Sequence, residues 1–301
     1  VRLGEAVFRT GQLAPESSAR ALQVLKRFVG VSQKYGVSTL RAVATSAVRD
    51  ASNGLTFVAE VEKIAGLRLE VISGEQEASF IARGVLPSVG RRSTPVALVD
   101  VGGGSTEISI IQAGSVGFAT SMQIGSARLT QMFCRSDPLL STDEAQLRAY
   151  VRESLKRSVG ARVPCATVVG SAGTVGALAN LIRKKPSNGG ARPRNEIRTV
   201  FSVRELLRTS ASIRQMNLAE RRRTPGIEER RSETIVAGAI ILEEVCNHLG
   251  ARNVEVVRRG LRDGLMIEEI EKLGFKLPRR QRNKPAFARR DPTKDKPRPR
   301  T

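Results

Sequence analysis

Val96-Ala97-Leu98-Val99-Asp100-Val101-Gly102-Gly103-Gly104-Ser105-Thr106-Glu107-Ile108-Ser109-Ile110 is the stretch on which the reading of this chain turns. An apolar strand ends in a carboxylate, turns on three glycines and leaves as a second, β-branched strand. Glycines lack a Cβ, so backbone N–H groups at such a turn can approach phosphate oxygens closely, and Ser105 and Thr106 add hydroxyl donors. Asp100, at the strand end, suits the hard-oxygen ligation that Mg²⁺ prefers. The stretch is not a Walker A loop, because no Gly-Lys-Ser/Thr follows. It is not a dinucleotide fingerprint either, because the glycines lead into a strand rather than a helix. Taken alone it reads equally well as a phosphate-binding hairpin or as a glycine-rich turn with Asp as a turn former.

Two further segments bear on that choice. Thr167-Val168-Val169-Gly170-Ser171-Ala172-Gly173-Thr174 predicts a strand, a tight turn and a helix start, where unpaired N–H groups favour an anion. Its plainer reading is a strand-to-helix turn with a Ser or Thr cap. Ser73-Gly74-Glu75-Gln76-Glu77-Ala78 puts acidic side chains at another helix start, where they complement the helix dipole. A carboxylate at the same place could also deprotonate a water attacking phosphorus.

The strands Val96–Val99, Thr106–Ile111 and Val116–Met122 are joined by short glycine-containing turns, which predicts an antiparallel meander. Before them, helix-period and strand-period segments alternate: a helix from Pro15 with Leu22, Leu25, Phe28 and Val29 on one face, a strand at Thr39–Ala44, and a helix at Leu55–Ile64. A strand at Arg68–Ile72 and a helix at Glu75–Leu86 follow. After the meander come helices Ala127–Phe133 and Asp143–Val159, a strand at Ala166–Val169 and a helix from Thr174. A long helix Glu228–Leu249, a strand at Asn253–Val257 and a last helix Leu261–Leu273 complete the pattern. The class is α/β, with one lobe over residues 1–90, a second over 91–274, a mobile basic loop at Arg183–Arg198 and a disordered basic tail over 275–301.

The 301 residues carry 50 Lys+Arg against 29 Asp+Glu, a formal charge of +21, which predicts a polyanionic partner. With 4% aromatic residues and no Trp, base stacking is weakly supported and nucleic acid is not the expected partner. No apolar run approaches the roughly 20 residues that span a bilayer, so no membrane is expected, and the absence of a signal-peptide pattern makes the cytoplasm the expected location. The 3 cysteines, Cys134, Cys165 and Cys246, show no metal or disulfide spacing. The lone His248 reads as a surface or capping residue, which leaves a Ser-His-Asp mechanism without its base.

Taken together, Ala44-Thr45-Ser46-Ala47-Val48-Arg49-Asp50-Ala51-Ser52-Asn53-Gly54, the Ser73–Ala78 segment, Asp100–Glu107 and Gly170–Thr174 resemble the exopolyphosphatase and guanosine pentaphosphate phosphatase family. Pro225–Glu233 and Arg259-Gly260-Leu261-Arg262-Asp263-Gly264 look like its later motifs, and the resemblance runs from about Val1 to Leu273. It implies the actin/sugar-kinase/heat-shock ATPase fold, two lobes with phosphate-binding hairpins facing a cleft. It also implies Glu77 as catalytic base, Asp100 and Glu107 as acidic groups around Mg²⁺ and the attacking water, and phosphate contacts from Gly102, Gly103, Gly104, Ser105, Thr106, Gly170, Ser171, Gly173 and Thr174. Arg49 and Asn53 lie in the matching lobe-one loop. Gln76 departs from the family's paired glutamates, and Glu233 stands where Asp is usual, in a helix cap or a core-facing salt bridge. The family opens with a strand and an Asp-x-Gly-Ser-Asn hairpin that do not precede Arg2-Leu3-Gly4-Glu5, so lobe one is expected to be incomplete at its N-terminal side. The implied activity is Mg²⁺-dependent release of terminal phosphate from polyphosphate. Hydrolysis of a phosphorylated guanine nucleotide (guanosine pentaphosphate) and a non-catalytic polyanion-binding remnant stand as alternatives, with a homodimer among the expected assemblies.

Overall fold

The computed structural model describes residues 2–90, 92–160, 164–183 and 199–275. The basic tail expected after Phe275 and most of the loop expected after Arg183 lie outside the described residues.

The first lobe contains α1 (Val7–Thr10), α2 (Pro15–Lys34), β1 (Ala42–Ala44), α3 (Ser46–Asp50), α4 (Gly54–Ala65) and β2 (Leu69–Val71). Among the described residues its sheet is the parallel pair β1–β2 alone. Its core gathers Val7, Leu13, Ala21, Val48, Phe57 and Val61. Pro15 at the first turn of α2 supplies the φ that a helix start needs. Leu22, Leu25 and Val29 pack on this core, but Phe28, expected on the same face, is exposed.

The second lobe is built on a six-stranded sheet of order β5-β4-β3-β6-β8-β7. Its strands are β3 (Val96–Val101), β4 (Thr106–Gln112), β5 (Ser115–Met122), β6 (Thr167–Ser171), β7 (Thr199–Ser202) and β8 (Asn253–Val256). The predicted meander is present: β3–β4 and β4–β5 are antiparallel, while β3–β6 and β6–β8 are parallel. All six residues of β3 are buried, as expected of a strand covered on both faces.

The helices of this lobe begin with α5 (Gly74–Val89), α6 (Ser126–Phe133) and α7 (Ser141–Ser158). They continue as α8 (Ala172–Ile182), α9 (Val203–Gln215), α10 (Leu218–Arg223), α11 (Ile235–Leu249) and α12 (Leu261–Lys272). No helix among the described residues is long and apolar enough to cross a membrane.

Three expectations are corrected. Helix α11 begins at Ile235, not Glu228, and the preceding residues form a short 3-10 turn, Glu229–Arg231. There the Ser232 hydroxyl donates to the Glu229 carbonyl (2.6 Å) and Arg221 Nε donates to the Ser232 carbonyl (2.8 Å), local bonds that compete with a helical ladder. Strand β7 and helices α9 and α10 were not anticipated. The cores also divide earlier than residue 90: Ile81, Ala82, Val85 and Val89 of α5 pack on Val96, Leu98, Ile111 and Val169 of the second sheet, so α5 belongs to lobe two. α5 and α12 cross with almost no separation, since a Cβ at Gly264 would overlap the Phe80 carbonyl and one at Gly84 the Gly260 carbonyl. Arg41 of lobe one pairs with Glu268 and Glu269 of α12, fastening the lobes at that end.

Candidate active site

The hairpin after β3 closes through Gly102 N–H to the Ser105 carbonyl (3.0 Å). Its carbonyls are taken by the start of α6: Ser126 N–H donates to Gly102 (2.9 Å), and the N–H groups of Ala127 and Arg128 donate to Gly103 (2.8 and 3.0 Å). Among the described residues no backbone bond outside the strands uses the N–H of Gly103, Gly104 or Ser105. Arg128 fastens this turn to lobe one. Its Nε donates to the Gly104 carbonyl (2.7 Å), it pairs with Asp50, and its guanidinium lies 4.2 Å from the centre of the Phe8 ring.

Three carboxylates converge beside the hairpin. Asp100 at the end of β3 is 8% exposed and accepts a hydrogen bond from the Ser171 hydroxyl. Burial raises its proton affinity, against the effect of that bond. Glu107 stands opposite Asp100 in the β3–β4 register, is 3% exposed and accepts from the Ser121 hydroxyl at 2.7 Å. Burial first, and then the neighbouring Glu77 charge, push its carboxyl up to about 8.

Glu77 sits in the first turn of α5, 8% exposed, with Arg49 Nη1 3.4 Å away. Burial raises its proton affinity and the Asp100 and Asp50 charges add to the rise, while Arg49 opposes it. The helix that presents Glu77 starts in a capping box. Ser73 Oγ accepts the Gln76 N–H (3.2 Å) and Gln76 Oε1 accepts the Ser73 N–H (2.8 Å), so the glutamine at this position retains the cap. Glu75, two residues before Glu77, is held below its ordinary value by backbone hydrogen bonding at the helix start and by Ser73. One turn therefore holds an acid on the helix-dipole side and another pushed up by burial.

Several hydroxyls expected at phosphate are committed elsewhere. Thr106 Oγ1 donates to the Ile124 carbonyl, Thr174 Oγ1 to the Val101 carbonyl (3.1 Å), and Ser171 Oγ to Asp100. They fix the hairpin and the carboxylate. Gly170 lies within β6 against Val175. Asn53 is away from the cleft: its Oδ1 accepts the Leu13 N–H (2.8 Å) and its Nδ2 donates to the Leu13 carbonyl (3.0 Å), which clips the loop ahead of α2. Glu233 is half-exposed rather than core-facing and pairs with Arg2 at 2.5 Å and Arg222 at 3.3 Å. His248 is exposed, its ring nitrogen 2.9 Å from the Gly160 carbonyl, and the three cysteines are free.

Two cavities meet at Glu77. One of 490 Å³ is lined by the glycines of the hairpin, Ser105 and Thr174. The other, of 650 Å³, reaches from Glu77 and Asp100 to the loop between β8 and α12. Gly173 and Arg231 border both. The Arg231 guanidinium lies directly over Gly173, where any Cβ would overlap it. Among the described residues its buried Nε makes no hydrogen bond, and it forms an ion pair with Glu228 at 3.5 Å. Arg231 lies within the Pro225–Glu233 motif, yet nothing in that segment's sequence marks it as a residue of the cleft. Among the described residues no group of three or more His, Cys, Asp or Glu is arranged to hold a metal ion by itself.

The Ppx/GppA phosphatase family model matches residues 1–273. Exopolyphosphatase 2 of Mycobacterium tuberculosis is 32% identical over 279 residues, covering 89% of this chain and 86% of that protein. Exopolyphosphatase 1 of Mycobacterium bovis is 29% identical over 280 residues, with 90% and 78% covered. The crystal structure of an exopolyphosphatase from Cytophaga hutchinsonii superposes with a TM-score of 0.82 at 26% identity, over 91% of this chain and 88% of that one.

Proposed function

Because the chain belongs to the Ppx/GppA phosphatase family, we propose that it is a phosphoanhydride hydrolase acting as an exopolyphosphatase, with Glu77 as general base. The observation that carries this reading is the place of Glu77. It is a buried carboxylate of raised proton affinity where a glycine hairpin, Arg231 and a second cavity meet. A base is most effective when its proton affinity lies near the working pH, and burial moves a carboxyl that way.

In this reading a water between Glu77 and the terminal phosphorus gives its proton to a Glu77 oxygen as its own oxygen bonds to phosphorus. The P–O bond to the penultimate phosphate then breaks in line. The N–H groups of Gly103, Gly104 and Ser105 receive the negative charge that develops on the terminal phosphoryl oxygens. Arg49 Nη1 donates to the Ile72 carbonyl (2.9 Å) and lies 3.4 Å from Glu77 Oε2, which keeps a positive charge beside the base.

Asp100 and Glu107 are the residues that would hold Mg²⁺. Their raised proton affinities are those of carboxylates without a counter-cation, and Mg²⁺ characteristically takes one or two carboxylates together with substrate phosphates and water. Bound there, the ion would neutralise charge on the phosphate chain.

The test is Mg²⁺-dependent phosphate release from polyphosphate by the wild type and by Glu77→Gln. The variant should lose about 10²–10⁴ in rate while binding polyphosphate as the wild type does. An unchanged rate would remove Glu77 from the mechanism. A wild type that binds but releases nothing would favour the polyanion-binding alternative.

A further inference from the structure

Arg128, at the start of α6, divides its guanidinium between the two lobes. Nε donates to the hairpin carbonyl of Gly104 (2.7 Å), while Nη2 pairs with Asp50 of α3 and donates to Ser46 Oγ (3.3 Å). Asp50 in turn lies between two guanidiniums. Its Oδ2 takes Arg128 and the Ser46 hydroxyl (3.0 Å), and its Oδ1 stands 3.6 Å from Arg49 Nε. Arg49 continues the series, with Nη1 3.4 Å from Glu77 Oε2. The series begins at the hairpin, passes through α3 of lobe one and ends at the proposed base. Its side chains are only 11–24% exposed.

In a trans peptide the carbonyl and the next N–H point in opposite directions, so a Gly104 carbonyl held by Arg128 turns the Ser105 N–H away from Arg128. Ser105 lines the 490 Å³ cavity and Arg128 does not. The hairpin has no slack on the lobe-one side either, since a Cβ at Gly104 would overlap Ser46 Oγ and the Phe8 ring. A carboxylate with a different arginine on each oxygen ties the support of the hairpin to the orientation of Arg49. We propose that Arg128 and Asp50 are positioning residues, which through one carboxylate set the glycine hairpin and the Arg49–Glu77 pair in register across the lobe boundary. That the groups positioned are a phosphate cradle and a base rests on the hydrolase reading above; the coupling between the lobes does not.

Arg128→Lys keeps a charge beside Asp50 but lacks the fork that reaches Gly104 as well, and Asp50→Asn keeps the shape but loses the charge both arginines share. With Mg²⁺ and polyphosphate, each variant should lose about tenfold or more in kcat with KM within about twofold of wild type. The double variant should be no slower than the slower single one, because both changes break one unit. Arg92→Lys, the same change in the Arg92–Glu255 pair inside lobe two, should keep the wild-type kcat. A lower Tm with kcat per folded molecule unchanged, losses that multiply in the double variant, or an equal loss in Arg92→Lys would overturn the proposal. Should the double variant fold poorly, Asp50→Asn alone carries the kinetic comparison. Amide exchange, followed by NMR without substrate, reads the coupling independently of activity. Asp50→Asn alters lobe one alone, yet should speed exchange of the Gly102 N–H that closes the hairpin by about threefold or more. A Gly102 rate equal to the wild type's overturns the proposal in every case. If the wild type releases no phosphate, the hydrolase reading falls, and the coupling stands on the faster Gly102 exchange.

Discussion

Two groups of buried carboxylates in this molecule are treated in opposite ways. On the helical layer of lobe two, Glu243 is 1% and Glu244 3% exposed. Arg148 meets both at 2.6 Å, Arg214 adds a bond to Glu243 (2.9 Å) and Arg152 one to Glu244 (2.7 Å). Burial pushes Glu244 up, yet the hydrogen bonds and charges of Arg152 and Arg148 outweigh it and hold the carboxyl below its ordinary value. In the cleft, Glu77, Asp100 and Glu107 are buried to a similar degree; Arg49 opposes the rise of Glu77, serine hydroxyls oppose those of Asp100 and Glu107, and all three are still pushed up. Burial is therefore not what distinguishes a working carboxylate here. The distinction is whether the fold neutralises it or leaves that to a ligand.

The contrast can be broken most directly at its two ends. Glu77→Gln should abolish most activity while leaving thermal stability equal to or above wild type, because it removes a costly buried charge. Calorimetry on the inactive variant checks this, and a large fall in Tm would mean that Glu77 is structural. Arg148→Ala should do the reverse. It strips both glutamates of a buried partner and should cost about 3 kcal/mol in urea unfolding, with the specific activity of the folded fraction retained.

A third pair sharpens the comparison through pH. In metal-free protein the Glu107 carboxyl has an ordinary value of 4.5 and sits at about 8 when folded. The folded state thus holds this proton more tightly, and the resulting stability is complete below 4.5 and lost as pH rises toward 8. Glu107→Gln should remove that loss and gain on wild type by at least about 2 kcal/mol near pH 9. Glu244→Gln should show the opposite slope, costing stability near neutrality and converging on wild type as acid protonates the native carboxyl. Equal slopes for the two variants would erase the distinction between the sites. The smallest effect belongs to Asn53→Ala, which loses both bonds to Leu13 and should cost about 1–2 kcal/mol with kcat unchanged. A fall in kcat without a fall in stability would return Asn53 to the cleft.

What could be read from the sequence follows from how local each signal is. The meander of β3, β4 and β5 is legible because β-branched runs and glycine turns are adjacent in the chain. Glu77 and Asp100 were legible as candidates because each stands at the end of a patterned element. Where hydroxyls point is not local: the partner of Thr106 is Ile124 and that of Ser171 is Asp100, and only the folded sheet brings them together. The packing of α5 on the second sheet is hidden for the same reason, since the helix it crosses, α12, begins at Leu261. Segment 228–234 reads as helical by periodicity, but the side chains of Arg221 and Ser232 bind its backbone out of the helix. Arg259–Gly264 is legible as a motif, but only the fold brings its Gly260 up against Asp100.

The packing of α5 on the second sheet divides the cleft unevenly between the lobes. Glu77, Asp100, Glu107 and the hairpin all stand on lobe two. Arg49 belongs to the other lobe, and it is the cation that keeps Glu77 from holding its proton still more tightly. The cation beside Glu77 thus comes from one lobe and the carboxylates and glycine hairpin from the other, so the charge balance of the cleft exists only where the two lobes meet.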